Sequence, residues 1–365
     1  MLDWEQHRKE LKKTGATIEL MAEAAFVEFM RRLKAAGYDN PRDILADILT
    51  GFGDDYTTEL AAAMTRTLRK SISAESVGAI KIGKVTLTNK LIKDSAVVSA
   101  DVERVIKKHV KGWQSINKLA VELYDGYTAD KQVIEWSPRN RDLPLYIRDV
   151  LRDRPTQIQL AKITRRAVND KIKTPALRAA YNELLAEVER GAGFNALSKK
   201  LNVALNERMR FQTNRIAQTE MHRAWSDAQA KELLDNDEIE VVTFKLSSSH
   251  PATDICDVYA MQDLYGLGKG VYPKDKAPAV PLHPYCRCRL QGSLTKKADG
   301  AKHNPNAQKE LMQSIAKQNE DMARKMAGSN RKLDLMLRGK SLESIYNKGR
   351  PEQYHIGREI SSLDF

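Results

Sequence analysis

Three cysteines and two histidines carry most of the chemistry that can be read from this chain. Cys256, Cys286 and Cys288 fall within 33 positions of a 365-residue sequence, and His250 and His283 lie beside them. Zinc takes four tetrahedral ligands from Cys thiolates and His imidazoles, and such an ion can hold a loop-rich segment that has no core of its own. His250 and Cys256 supply one candidate pair, and His283 and Cys286 the other. Cys288 is the spare, because an x1 spacing puts both sulfurs on one side of an extended chain and either can serve. Three outcomes are compatible with this pattern: a structural zinc, a disulfide between two of the cysteines, or three buried thiols.

Other chemistries are weaker. The run Gly266-Leu267-Gly268-Lys269-Gly270 superficially suggests a phosphate cradle, but Pro273, Pro278 and Pro281 follow where such a loop needs a helix N-terminus, so it reads as a turn. Arg215 and Glu220 are five apart on a helix and do not face each other, whereas Arg215 and Thr219 do. His222 has no Ser or Cys nucleophile beside it in the sequence. His109 sits in Lys107-Lys108-His109-Val110-Lys111, which reads as a solvated face with phosphate contact as the alternative.

These residues need elements to position them. Apolar residues at 18, 22, 25, 29, 33 and 36 predict an amphipathic helix that stops at Gly37. Asn40-Pro41 is a cap and first-turn signal for a second helix that ends at Gly51, and Tyr56, Leu60, Met64 and Leu68 mark a third. A short β-like stretch between Ile80 and Leu87 turns at Gly83, and Val102, Val105, Ile106 and Val110 resume the helical period. Polar and turn-forming residues at 136–144 read as a linker. A further helix starts near 155; Thr174-Pro175 opens another, with Leu177, Ala180, Leu184 and Val188 as its stripe and Gly191 as its stop. A long polar helix follows from about Asn206 to Leu234, carrying Met209, Ile216, Met221 and Trp225. From Glu238 to Leu246 the β-branched and aromatic residues predict a strand entering the loop-rich Cys/His segment.

The resulting fold class is mainly α with a small α+β C-terminal subdomain. The expected domains are a mostly helical region at 1–150, a second at 151–292 containing the Cys/His segment, and a basic, partly helical or extended arm at 293–365, which has too few large apolar residues to bury a core. Composition bounds the function. Lys and Arg number 60 against 48 Asp and Glu, a net charge of +12, so anionic partners come first. A hydrophobic content of 42% excludes a wholly disordered chain. No apolar run is long enough for a membrane span and the N-terminus lacks a signal-peptide pattern, so cytoplasmic synthesis is the expectation.

The segment resembles the phage Mu F-like minor head proteins, the head-morphogenesis family of tailed bacteriophages. The matching pieces are Arg215-Ile216-Ala217-Gln218-Thr219-Glu220 followed by His222, Arg223 and Ala224, a strand, Asp254-Ile255-Cys256, a Gly-containing loop, and the closing His283-Pro284-Tyr285-Cys286-Arg287-Cys288. Many relatives carry Cys-x-x-Cys where this chain has Cys256-Asp257-Val258-Tyr259. The resemblance covers roughly residues 155–292. It implies a virion protein of the capsid interior or portal vertex, synthesised in the host cytoplasm, acting in head assembly and in genome packaging or delivery. The implied partners are portal, major capsid or scaffold proteins, and packaged DNA through the basic regions; no membrane and no small-molecule substrate is implied. The expectation is therefore no enzyme. The competing class is a zinc-dependent hydrolase or nuclease with Asp254 or Asp257 as base, although no His-Glu-x-x-His helix is present. A third class, a stand-alone nucleic-acid-binding regulator, lacks a recognisable consensus.

Overall fold

The computed structural model describes residues 2–36, 41–82, 85–87, 156–172, 174–192, 194–248 and 253–347, with a few isolated positions between them, His250 included. The predicted helix around Val102–Val110, His109, the 136–144 linker and the end of the chain after 347 lie outside the described residues. The chain is mainly helical with a small antiparallel sheet. It divides into two compact units, one from residues 1–15, 58–87 and 215–365, the other from 16–57 and 88–214.

In the second unit the long helices follow their apolar stripes. Helix α1 (Trp4–Ala35) begins well before the predicted Ile18, because Asp3 accepts hydrogen bonds from the backbone N–H groups of Glu5 and Gln6 and starts the helix there. Ile18, Ala22, Phe26, Phe29 and Leu33 form its buried face within this unit. Helix α2 (Pro41–Leu68) starts at the predicted proline but does not stop at Gly51. The expected second and third helices are one. Gly51 has open space where a side chain would stand, and Thr57 Oγ1 donates to the Gly53 carbonyl across the next turn, so a small cost in propensity meets no steric reason to break. In the first unit, helix α3 (Ala74–Gly78) is a single capped turn, and Lys81–Ile82 (β1) pairs with Val85–Thr86 (β2) as the expected hairpin.

Thr156 and Gln159 make a reciprocal capping box at the start of α4 (Gln157–Lys171). Helix α5 (Pro175–Glu189) packs against α4, with Leu177, Ala180 and Leu184 buried and an Arg165–Glu189 ion pair at 3.2 Å. Gly191 ends the pair at a φ of +67°. Helix α6 (Phe194–Leu234) is twelve residues longer at its N-terminus than expected, extending the stripe back through Leu197, Leu201, Ala204 and Leu205, all buried.

In the first unit β3 (Val241–Lys245) is the centre of a three-stranded sheet ordered β4-β3-β5, with β4 at Val271–Pro273 and β5 at Arg289–Ser293. Both pairings are antiparallel; Val242 faces Tyr272 on one side and Gly292 on the other. Gly292 lies inside β5. A Cβ there would come within 2.7 Å of Ile239 Cδ1 and 2.8 Å of Leu233 Cδ2, so the glycine permits close packing.

The partly helical or extended arm expected after residue 292 takes helical form as four short helices: α8 (Ala307–Gln318), α9 (Glu320–Ala327), α10 (Asn330–Leu337) and α11 (Leu342–Tyr346). Their caps are local, with Asn319, Ser329 and Ser341 each accepting from a backbone N–H three residues on. Met312, Met326, Leu333, Met336 and Leu342 join one apolar cluster with Phe244, Cys256, Tyr272 and Leu290. The residues from 307 to 346 thus share a core with the Cys/His segment. Few apolar residues suffice because unbranched methionines fill irregular space between short helices. No helix among the described residues is long and apolar enough to cross a membrane.

Candidate metal centre

The three cysteines converge. Helix α7 (Ile255–Met261) brings Cys256 into place, because Asp254 accepts from the Cys256 N–H at 2.7 Å while Asp257 accepts from the Asp254 N–H at 2.8 Å, a closed capping box that starts the helix there. Cys286 follows a tight turn in which its own N–H donates to the His283 carbonyl and Tyr285 adopts a φ of +61°. Cys288 immediately precedes β5, whose first residue Arg289 pairs with Lys245 of β3. All three thiols are buried, none is in a disulfide, and their sulfurs lie within 4.8 Å of one another.

The separations fit an ion. Zn–S bonds of about 2.3 Å in a tetrahedron put neighbouring sulfurs about 3.8 Å apart. Cys256 and Cys286 stand at 3.7 Å, and His283 Nε2 lies 3.2 Å from Cys256 Sγ. His283 Nδ1 is 2.8 Å from the Pro284 carbonyl, which leaves Nε2 facing Cys256. The three buried sulfurs form one group close enough to hold a metal, chemistry that suits zinc, while His283 groups with Cys256 and Asp254 beside it. Cys288, the spare by sequence, belongs to the sulfur group.

His250 does not join the sulfurs. Its Nε2 stands 2.9 Å from Asp257 Oδ2 and 3.8 Å from Asp254 Oδ1, forming a separate His250/Asp254/Asp257 group. The predicted His250–Cys256 pairing is thus replaced by a carboxylate contact, because the capping box turns Asp257 back toward the residues before α7. Asp254 links the two groups, since its Oδ2 is also 3.2 Å from His283 Nε2.

Charge is unevenly shared. Hydrogen bonds from Cys256 and Cys288, with the nearby His283, hold the Cys286 thiol well below its ordinary range despite burial. Cys256 is pushed up because it donates to Cys286 and Cys288 and is desolvated. For Cys288 a hydrogen bond with Cys256 acts downward but is outweighed by the one with Cys286 and by burial, which push it up. Burial disfavours a charged His283, yet the Cys286 thiolate and Asp254 outweigh it and raise the imidazole. Asp254 in turn is lowered: its desolvation is overcome by His283. Negative charge in the cluster is thus favoured at Cys286 and positive charge at His283, and a bound ion would compete with the protons there.

A second layer supports the loop from α6. Thr219 Oγ1 accepts from the Tyr285 N–H at 3.1 Å, and His222 Nε2 is 2.9 Å from the Cys288 carbonyl oxygen. Gln218 Oε1 accepts from the Arg287 guanidinium. Thr219 Oγ1 also donates to the Arg215 carbonyl, an i, i+4 relation, while Glu220 pairs with Arg223 at 2.9 Å. His222 stacks on Trp225 and meets His7, whose Nε2 is 3.2 Å from His222 Nδ1. Burial, His222 and Arg287 hold His7 well below the ordinary histidine range. The sequence offered no signal for His7, which lies 215 positions away from its partner. The glycine run is a turn: Gly266, Gly268 and Gly270 all have positive φ, and a Cβ on Gly270 would meet the Ala260 carbonyl oxygen at 2.7 Å.

Compared with known proteins, the chain matches no family model, no curated protein and no solved structure.

Proposed function

We propose that this protein is a structural minor head protein of a tailed bacteriophage, whose first unit is held by a zinc ion on Cys256, Cys286, Cys288 and His283. The observation that carries the reading is that its two resembling motifs meet. Thr219 and His222 of the helical motif take the backbone of Tyr285 and Cys288 in the closing motif. Residues that carry the resemblance are thus the ones that build the support of a single centre. The ion would serve as a clip. Three buried thiolates and one imidazole fill four positions, as closed structural sites do, and leave no open position for a substrate. Asp254 and His222 then orient the ligands, and no hydrolase or nuclease turnover follows.

In this role the centre lies in the capsid interior or at the portal vertex. Portal, major capsid or scaffold proteins are the protein partners, and the net charge of +12 suits contact with packaged DNA. The test is composition of nuclease-treated, gradient-purified particles by mass spectrometry, from cells expressing the chain with its neighbouring genes. The expected result is the chain in DNA-filled heads at a few copies each. Its absence from particles, or metal-dependent DNA cleavage lost in Asp254→Asn, would overturn the reading.

A further inference from the structure

A cavity of about 490 Å³ lies between α7, the turn after β4 and the C-terminal helices, away from the cysteine sulfurs. That volume is within the ~300–1,000 Å³ of small-molecule sites. Its floor is ordered: Tyr272 Oη donates to the Tyr259 carbonyl at 2.7 Å and accepts from the Gln262 amide at 3.0 Å. Tyr259 lines the cavity but is only 3% exposed, and its phenol oxygen is shielded from it.

The walls and rim specify the rest. Tyr265 stands against His303 at 5.5 Å between ring centroids and against Tyr272 at 6.1 Å, giving aromatic surface beside Leu264. Lys276, Lys309 and Lys340 contribute three amines, and Glu343 is the one carboxylate among the lining residues. Lys309 and Lys340 make no ion pair among the described residues. Amines at a rim recognise an anionic group, and aromatic faces a flat ring.

We infer that this cavity binds a small molecule joining a flat heteroaromatic ring to a phosphate, the size and chemistry of a nucleoside monophosphate. The ring lies along Tyr265, and the phosphate is held by Lys309 and Lys340. The inference is independent of the virion reading, because it rests on residues outside the cysteine centre and its test needs no particle.

Calorimetric titration of the full chain with adenosine 5′-monophosphate, adenosine and ribose 5-phosphate tests it. The expected result is saturable one-site binding of the monophosphate, with each fragment at least about tenfold weaker. The double variant Lys309→Ala/Lys340→Ala should weaken the monophosphate about tenfold or more at unchanged Tm. Absence of saturable binding at millimolar concentration, equal affinity for ribose 5-phosphate, or unchanged affinity in the lysine variant would overturn the inference.

Discussion

The helices between Thr156 and Leu234 and the segment from Val241 to Ser293 are held in place by interactions of different reach. In the helices the decisive contacts are near in sequence: the Thr156/Gln159 box, the proline that opens α5, Gly191 that ends it, and apolar stripes three and four residues apart. In the Val241–Ser293 segment they are distant. Cys256 meets Cys286 thirty residues on, and Tyr285 and Cys288 lean on Thr219 and His222 sixty-six residues back. Helices assembled from short-range signals absorb single losses one turn at a time. A segment whose shape depends on a few long-range contacts should fail cooperatively.

The largest effect that would sharpen this contrast is at the metal centre. The purified chain should carry about one zinc, and Cys286→Ser or exhaustive chelation should abolish it and unfold the first unit, since structural zinc contributes on the order of 10 kcal/mol. Elemental analysis with thermal melting measures both. Full stability without metal, with three freely titratable thiols in the native protein, would put the segment on the same footing as the helices.

The next effect separates a packed C-terminus from an arm. Met336 is fully buried in the core shared with Cys256, so Met336→Ala should cost about 2–5 kcal/mol. Leu20→Ala on α1, where the side chain is 65% exposed, should change stability by less than about 0.5 kcal/mol. Equal urea midpoints for the two variants would restore the arm.

Acidification tests the His7–His222 contact. Burial is the main cause that lowers both imidazoles in the folded protein, so below the ordinary histidine value near 6.5 the unfolded chain binds more protons than the folded one. Stability conferred by the neutral pair is thus complete above about pH 6.5 and is lost as pH falls toward the depressed folded values. His7→Leu should flatten the pH 7.5-to-5 decline in Tm; an unchanged decline would assign it elsewhere.

The smallest effect belongs to the helices. Thr156→Ala removes one cap and should cost about 1 kcal/mol, read as faster amide exchange in the first turn of α4 with the metal content unaltered. Loss of zinc in that variant would erase the distinction between the regions.

Helix class, the β1–β2 pairing, strand β3, the helix starts at Pro41, near residue 155 and at Pro175, and the concentration of metal-type ligands are properties of the sequence itself. Each depends on a period of two or 3.6 residues, or on a side chain reaching its own backbone within a turn. Three things were decided by tertiary structure. Gly51 lies within α2 because nothing nearby opposes continuation, a matter of space that a glycine in a sequence does not reveal. Residues 307–346 are core because Met312, Met326 and Met336 find Cys256, Tyr272 and Leu290 to cover, and burial is a property of the pair. Among the five candidate ligands the sequence left Cys288 in reserve and joined His250 to Cys256. The fold groups them differently, since the Asp254/Asp257 capping box holds His250 at a carboxylate while Cys288 stands with the other two sulfurs. Ligand type is written in a residue; which ligands share one ion depends on where the chain returns.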